Sequence, residues 1–253
     1  MNEREIFNAI IATWLMLAAI VFVLLFFITA PYGRYVRKGW GATINNKMGW
    51  IIMESTSSLL FALFFILGNR HGSFVALIFL AMWEAHYIHR AFIYPLTLKG
   101  SGKRMPVFVV FLGLFFNSVN SYLNGRYLFS LSPVYDISWL SDPRFIVGTA
   151  LFIAGFMVNR HSDRVLRALR GASDEGYKIP YGGFYRWVSS PNYLGELAIW
   201  FGFAIATWSL PGLTFAVWTA ANLVPRARAN RIWYKTGFAN YPEERRILIP
   251  RFW

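Results

Sequence analysis

Residues 6–29 read IFNAIIATWLMLAAIVFVLLFFIT, twenty-four positions without a charged side chain. A helix that crosses the hydrocarbon core of a bilayer needs about 20 mostly apolar residues, so this stretch is long enough by itself. It is too long for the apolar part of a secretion signal and lacks a small-residue cleavage site, so it reads as a retained first span. Six further stretches qualify, over 49–68, 73–95, 106–125, 143–161, 192–209 and 211–235. The last two are parted at Leu210-Pro211-Gly212, read as a tight turn. The seventh is apolar only to Pro225 and then basic, so its helix is expected to protrude from the membrane. The expected fold is all-α: a polytopic membrane helix bundle of seven transmembrane helices in one domain, 1–253.

Composition agrees with that reading. Hydrophobic residues make up 56% of the 253 and charged residues 15%, against about 25% charged in soluble domains. The net charge of +13 suits anionic lipid heads, a phosphorylated ligand or nucleic acid. No zinc-finger, RNP or helix-turn-helix pattern supports nucleic acid, so that partner is set aside. With no cysteine, disulfides, Cys-ligated metals and a thiol nucleophile are excluded. Charge placement gives orientation. Twenty Lys and Arg fall in 30–48, 96–105, 159–191 and from 226 on, and four in the alternate segments. The positive-inside rule then puts the N-terminus outside and the C-terminus in the cytoplasm.

Ionisable groups inside spans are costly, and are functional candidates for that reason. The second span holds Glu54-Ser55-Thr56-Ser57-Ser58, and the third holds Glu84, His86, Tyr87, His89, Arg90 and Tyr94. On a regular helix Tyr87, Arg90/Ala91 and Tyr94 share a stripe, with Glu84 one turn earlier on the same face. Glu84 is as readily a buried partner of His86, His89 or Arg90 as a catalytic group. Ser55–Ser58 are more often bonded to their own helix than functional. Glu54 has no adjacent base, so it is either neutral or paired at a distance. The fourth span adds Asn117 and Asn120, and the sixth adds Asn192 and Glu196. His86 and His89 lack the spacing of a known metal motif, and no metal site is expected. No GxGxxG or complete Walker pattern occurs, so any phosphate must be held by Arg, Lys and helix ends.

The segment 159–191 is longer than a helix connection needs, and such loops are usually functional. It combines arginines at helical spacing (Arg164, Arg167, Arg170) with Asn159, Asp163, Asn192 and Glu196 at the membrane edge. The arginines alone read as a solvated face answering anionic lipids. The amides and carboxylates suit hydrogen bonding to ribose, adenine and carboxamide groups instead.

Three runs carry a family resemblance. One is H-Y-x-H-R-x-F-x-Y over His86–Tyr94. A second is N-x-x-S-D from Asn159, then L-R-x-L-R, Y-K-I-P-x-G-G from Tyr177, and N-x-L-G-E to Glu196. The third is Ala206-Thr207-Trp208-Ser209-Leu210-Pro211 with the tail from Tyr241-Pro242 to Ile249-Pro250. In order and spacing they resemble the steroid 5α-reductase family of integral membrane enzymes, over most of 84–253. The resemblance implies NADPH-dependent reduction of the Δ4 double bond of a 3-oxo-Δ4 steroid or related enone lipid that arrives from the bilayer. It implies a substrate pocket from spans one to four, with Glu54 and Tyr87 as catalytic residues on the C3 carbonyl. It implies a cofactor site mainly from 159–253, with Arg104, Asn159, Asp163, Arg170, Tyr177, Lys178, Asn192, Glu196, Asn230 and Tyr234 binding NADPH. It places a monomer among membrane lipids, in a bacterial inner membrane or its equivalent, with the cofactor on the cytoplasmic side. Met53 stands where the family often has Gln, and Asn230 where eukaryotic members carry His.

The proposed chemistry is coherent from below. Hydride addition to the β-carbon of an enone puts negative charge on the carbonyl oxygen, and a tyrosine hydroxyl or a protonated glutamate can donate to it. Isoprenylcysteine and phospholipid methyltransferases, which use S-adenosylmethionine, are similar in the P-N-Y-x-G-E turn and the Arg-rich tail. A non-catalytic lipid-binding bundle is the third possibility.

Overall fold

The computed structural model describes residues 2–31, 33–35, 39–98, 102–169 and 176–253. Among them, seven long rods account for almost all regular structure: α1 (Glu3–Phe27), α2 (Asn46–Leu67), α3 (Phe74–Ile88) continued by α4 (Tyr94–Thr97), α5 (Val107–Arg126), α6 (Pro143–Ala168), α7 (Pro191–Thr207) and α8 (Leu210–Gly237). Four helices are long and apolar enough to cross a membrane: Glu3–Phe27, Asn46–Leu67, Val107–Leu131 and Pro143–Ala168. The chain is therefore a helical membrane protein.

The helix starts follow from local chemistry. Asn2 and Glu5 form a reciprocal capping box on α1. Asn45 accepts from the Lys47 N–H at 2.9 Å to start α2, and Asp142 caps α6 with Pro143 in its first turn. Each side chain satisfies a backbone donor that the first turn leaves free. Leu210-Pro211-Gly212 is not the turn between the last two helices. The chain reverses at Trp208, in the left-handed region at φ 44°. Ser209 then accepts from Gly212 N–H, and Leu210-Pro211-Gly212 is the first turn of α8. A proline belongs there because a helix's first residues need no N–H partner.

Two features were not expected. The chain before α2 and the chain before α5 pair as short antiparallel strands, β1 (Thr43–Asn45) and β2 (Arg104–Pro106), with Ile44 opposite Met105. The third rod is not a uniform α-helix. A π-helical turn covers His89–Ile93, and the Tyr94 N–H reaches back five residues to the His89 carbonyl. The extra residue rotates the remainder of the rod relative to a regular helix, yet the Arg90 guanidinium still lies 4.9 Å over the Tyr94 ring. Such bulges occur often at functional sites.

The core is aromatic. Phe61 stacks on Trp83 at 4.2 Å, and Trp200 meets Phe215 at 4.1 Å. α6 and α7 approach backbone to backbone: a Cβ at Gly155 would come within 2.6 Å of the Ile199 nitrogen, and one at Gly195 within 2.5 Å of the Asn159 nitrogen. α1 packs on α8, with Trp14 and Trp218 at 5.0 Å and the Trp218 indole donating to the Trp14 carbonyl at 2.9 Å.

Candidate functional site

One end of the bundle gathers the starts of α2 and α7 and the ends of α4, α6 and α8. A cavity of about 390 Å³ opens there, within the range of ligand sites. Among the described residues its cationic wall is Arg34, Arg90, Lys103, Arg104 and Arg226, against one carboxylate, Asp163. Tyr94, Tyr177, Tyr185, Tyr193 and Tyr234 line it as well. Cations and aromatic faces together suit a flat, anionic ligand.

Arg34 is held in a ring of aromatics, its guanidinium 5.0, 4.6 and 4.7 Å from the rings of Tyr177, Trp233 and Tyr234. Gly33, at φ 65°, lets the chain turn in beside Arg226. Burial opposes the Arg34 charge, but the hydroxyls of Tyr234, Tyr193 and Tyr35 outweigh it and hold the group above its ordinary value. Its Nη2 donates to Tyr234 at 3.2 Å, while Nη1 is buried without a partner among the described residues. Tyr35 donates to Asn230 Oδ1 at 3.1 Å, and Asn230 donates to Ser190 at 3.3 Å. The Tyr185 hydroxyl is also buried and unpartnered. Burial first, and then Asp163, push it well above the usual tyrosine value, so it remains a donor. A buried donor without a partner is costly. Two of them beside one cavity fit a ligand rich in acceptors, as a dinucleotide is.

Below the cavity lies a second layer. Arg90 faces Asp163 at 3.5 Å and lies 4.9 Å over both Trp50 and Tyr94. Glu196 is the hub of a buried network: His86 Nε2 at 3.2 Å, the Trp200 indole at 3.0 Å and the Asn159 amide at 2.9 Å all meet its carboxylate. Asn159 also donates to the Asn192 carbonyl at 2.9 Å. Glu54 follows the lining residue Trp50 by four positions, and Tyr87 precedes the lining residue Arg90 by three. The pair therefore sits about one helical turn, roughly 5–6 Å, deeper than the cavity floor. Glu54 lies within electrostatic reach of Arg90, His86 and Glu196, and Tyr87 within reach of Glu54 and Ser57. Asn117 fixes the Met53 carbonyl at 2.7 Å, just before Glu54. Tyr87 is 3% exposed and packs on Trp83 at 5.1 Å.

Among the residues picked from sequence, Arg104, Asp163, Tyr177, Asn192, Asn230 and Tyr234 line the cavity. Arg104 is also tied across the strand pair to Thr43, its Nε donating to Oγ1 at 2.7 Å. Asn159 and Glu196 do not reach the wall; they brace it from beneath. Lys178 is exposed, and Arg170 lies outside the described residues. Glu84 does not pair with His86, His89 or Arg90. It bonds Ser58 on α2, with its second oxygen buried and unpartnered. No group of three potential metal ligands occurs among the described residues. Arg34, Tyr185 and Arg226 were not singled out from sequence. The visible signal of Arg34 and Arg226 was charge in the inner segments, which topology already explained, and Tyr185 carried no signal.

The protein is thus a membrane helical bundle with a cationic, tyrosine-lined cavity about one helical turn above Glu54 and Tyr87. The family model for 3-oxo-5-alpha-steroid 4-dehydrogenase matches residues 103–253. The chain is 39% identical to 3-oxo-5-alpha-steroid 4-dehydrogenase 1 of Bos taurus, over 98% of this chain and 97% of that protein. It is 37% identical to the steroid 5-alpha-reductase DET2 of Gossypium hirsutum, over 98% of each. A third relative, 3-oxo-5-alpha-steroid 4-dehydrogenase 1 of Mus musculus, is 38% identical over 99% of this chain and 98% of that protein. The chain belongs to the steroid 5-alpha-reductase (3-oxo-5-alpha-steroid 4-dehydrogenase) family of oxidoreductases.

Proposed function

We propose that the protein reduces the Δ4 double bond of 3-oxo-Δ4 steroids with NADPH. The observation that carries this reading is the cationic cavity, with its buried unpartnered donors, one helical turn from Glu54 and Tyr87. NADPH, when bound, supplies the hydride that the β-carbon of the enone accepts. Arg34, Arg226 and Arg104 answer its phosphates, with Arg170 assigned to the 2′-phosphate. Asn192, Asn230, Tyr185 and Tyr234 supply hydrogen bonds, and the Arg90–Asp163 pair closes the floor. Protonated Glu54 and the Tyr87 hydroxyl donate to the C3 carbonyl oxygen as charge gathers there, like an oxyanion hole. The Glu196 network of His86, Trp200 and Asn159 keeps α3, α6 and α7 in register around the reacting atoms.

The apolar substrate arrives from the bilayer and the cofactor from the cytoplasm. Seven spans, an outer N-terminus and an inner C-terminus put the cavity on the cytoplasmic side. The protein acts in this reading as a monomer among membrane lipids. The test is to titrate purified protein with NADPH and with S-adenosylmethionine, then supply a 3-oxo-Δ4 steroid. Saturable NADPH binding and a 5α-reduced product are expected. Binding of S-adenosylmethionine with no response to NADPH would overturn the reading.

A further inference from the structure

The outer face of α6 is not used by the reductase chemistry. Ile146, Val147, Ile153 and Met157 are each more than half exposed, and their helical spacing makes one apolar stripe. The stripe ends in Arg160 and Arg164, three and seven positions beyond Met157. The Arg160 guanidinium lies 5.2 Å over the Phe156 ring. One turn further, Arg167 reaches across to α4, where its Nη1 donates to Thr97 Oγ1 at 2.8 Å. Arg160 is within electrostatic reach of Arg167, Asp163 and Arg164, so three like charges converge at one helix end beside a single carboxylate. The neighbouring carboxylate, Asp163, is 3% exposed and faces inward to Arg90 and Asn192. Neither Arg160 nor Arg164 has an ion-pair partner among the described residues, and neither lines the cavity.

We propose that Arg160 and Arg164, backed by Arg167, hold the phosphate of an anionic membrane phospholipid whose acyl chain lies along the Ile146–Met157 stripe. A guanidinium matches a phosphate with paired hydrogen bonds. Basic clusters at the cytoplasmic ends of membrane helices are suited to lipid headgroups. The arginine stems extend the apolar stripe while their heads stay at the interface. A phosphatidylcholine phosphate carries its own ammonium and leaves the cluster uncompensated; phosphatidylglycerol does not.

The test uses the full chain in nanodiscs of phosphatidylcholine with added phosphatidylglycerol, followed by native mass spectrometry of the released protein. Wild type is expected to retain one phosphatidylglycerol. The double variant R160Q/R164Q loses that preference about tenfold, with its affinity for NADPH unchanged. The R160K/R164K variant keeps the charge and is expected to retain part of it. Excess inorganic phosphate should not displace the lipid, because it lacks the acyl chain. Equal retention by wild type and R160Q/R164Q would overturn the proposal. A matching fall in NADPH affinity would also overturn it, and would assign these arginines to the dinucleotide.

Discussion

Tyr87 is buried with Ser57 and Glu54 within reach of its hydroxyl. Removing only that oxygen, in Tyr87→Phe, should lower turnover about 10²–10³-fold, or roughly 3–4 kcal/mol of transition-state stabilisation. NADPH binding and thermal stability should hold; full enone reduction by the variant would defeat the mechanism. At position 54 the comparison is Gln against Leu. Arg90 has Asp163 as its own carboxylate partner at 3.5 Å, so Glu54→Gln does not strand that cation. Melting close to wild type is expected for both variants, with turnover falling further for Leu, which cannot donate. A large loss of stability on Glu54→Gln would mean that Glu54 serves as a buried anion. Glu54 and Tyr87 stood out in the sequence because charge and hydroxyl are conspicuous inside apolar spans. The partner of Glu84 did not. A helical wheel places only the residues of its own helix, and Ser58 is on another.

The α6–α7 seam depends on glycines at helix-contact positions. Gly155→Ala would drive a methyl into the backbone of α7 and should cost about 1–3 kcal/mol, the usual range for overpacking. Gly237→Ala has open space around it and should melt like wild type, which makes it the control. At the opposite end of α6, Asp142 is bonded by the Arg144 side chain at 2.9 and 2.7 Å and by its N–H at 2.8 Å. Those bonds hold its carboxyl at about 2. Its stabilising effect is therefore full above the ordinary carboxylate range and lost as pH falls through that range toward 2. Asp142→Asn keeps a helix cap but gives up the ion pair. It should melt below wild type at neutral pH, with the gap closing near pH 2; a gap unchanged by pH would refute the assignment. The four long apolar helices, Glu3–Phe27, Asn46–Leu67, Val107–Leu131 and Pro143–Ala168, were legible because apolar length is a strong signal. The π turn and the β1–β2 pairing were not, since the first needs a hydrogen-bond register and the second joins segments some sixty residues apart.

For the molecule as a whole, the cationic cavity and the Glu3–Arg126 pair lie at opposite ends of the bundle. Reporter fusions at Met1 and at Trp253 should therefore report opposite sides of the membrane; the same side for both would refute seven spans. Of the cavity's cations, Arg104 was read from the sequence as a cofactor ligand and Arg90 as a candidate inside a span, whereas Arg34, Lys103 and Arg226 were read only as a sign of orientation. Their convergence depends on α8 returning beside α1, which no local pattern encodes. That return has a consequence for biosynthesis. Helix α1 meets one of its neighbours, Trp218 on α8, only once that much later helix has been made. Until then the Trp14 face has only α5 to pack on, through Phe115 and Phe116, and Arg226 cannot reach the Ala30 carbonyl that it bonds at 3.3 Å. A nascent chain halted before residue 218 would carry the α2–α5 contacts without the α1–α8 seam, and the cationic cavity, whose wall takes Leu223, Arg226, Asn230 and Tyr234 from α8, would still be incomplete.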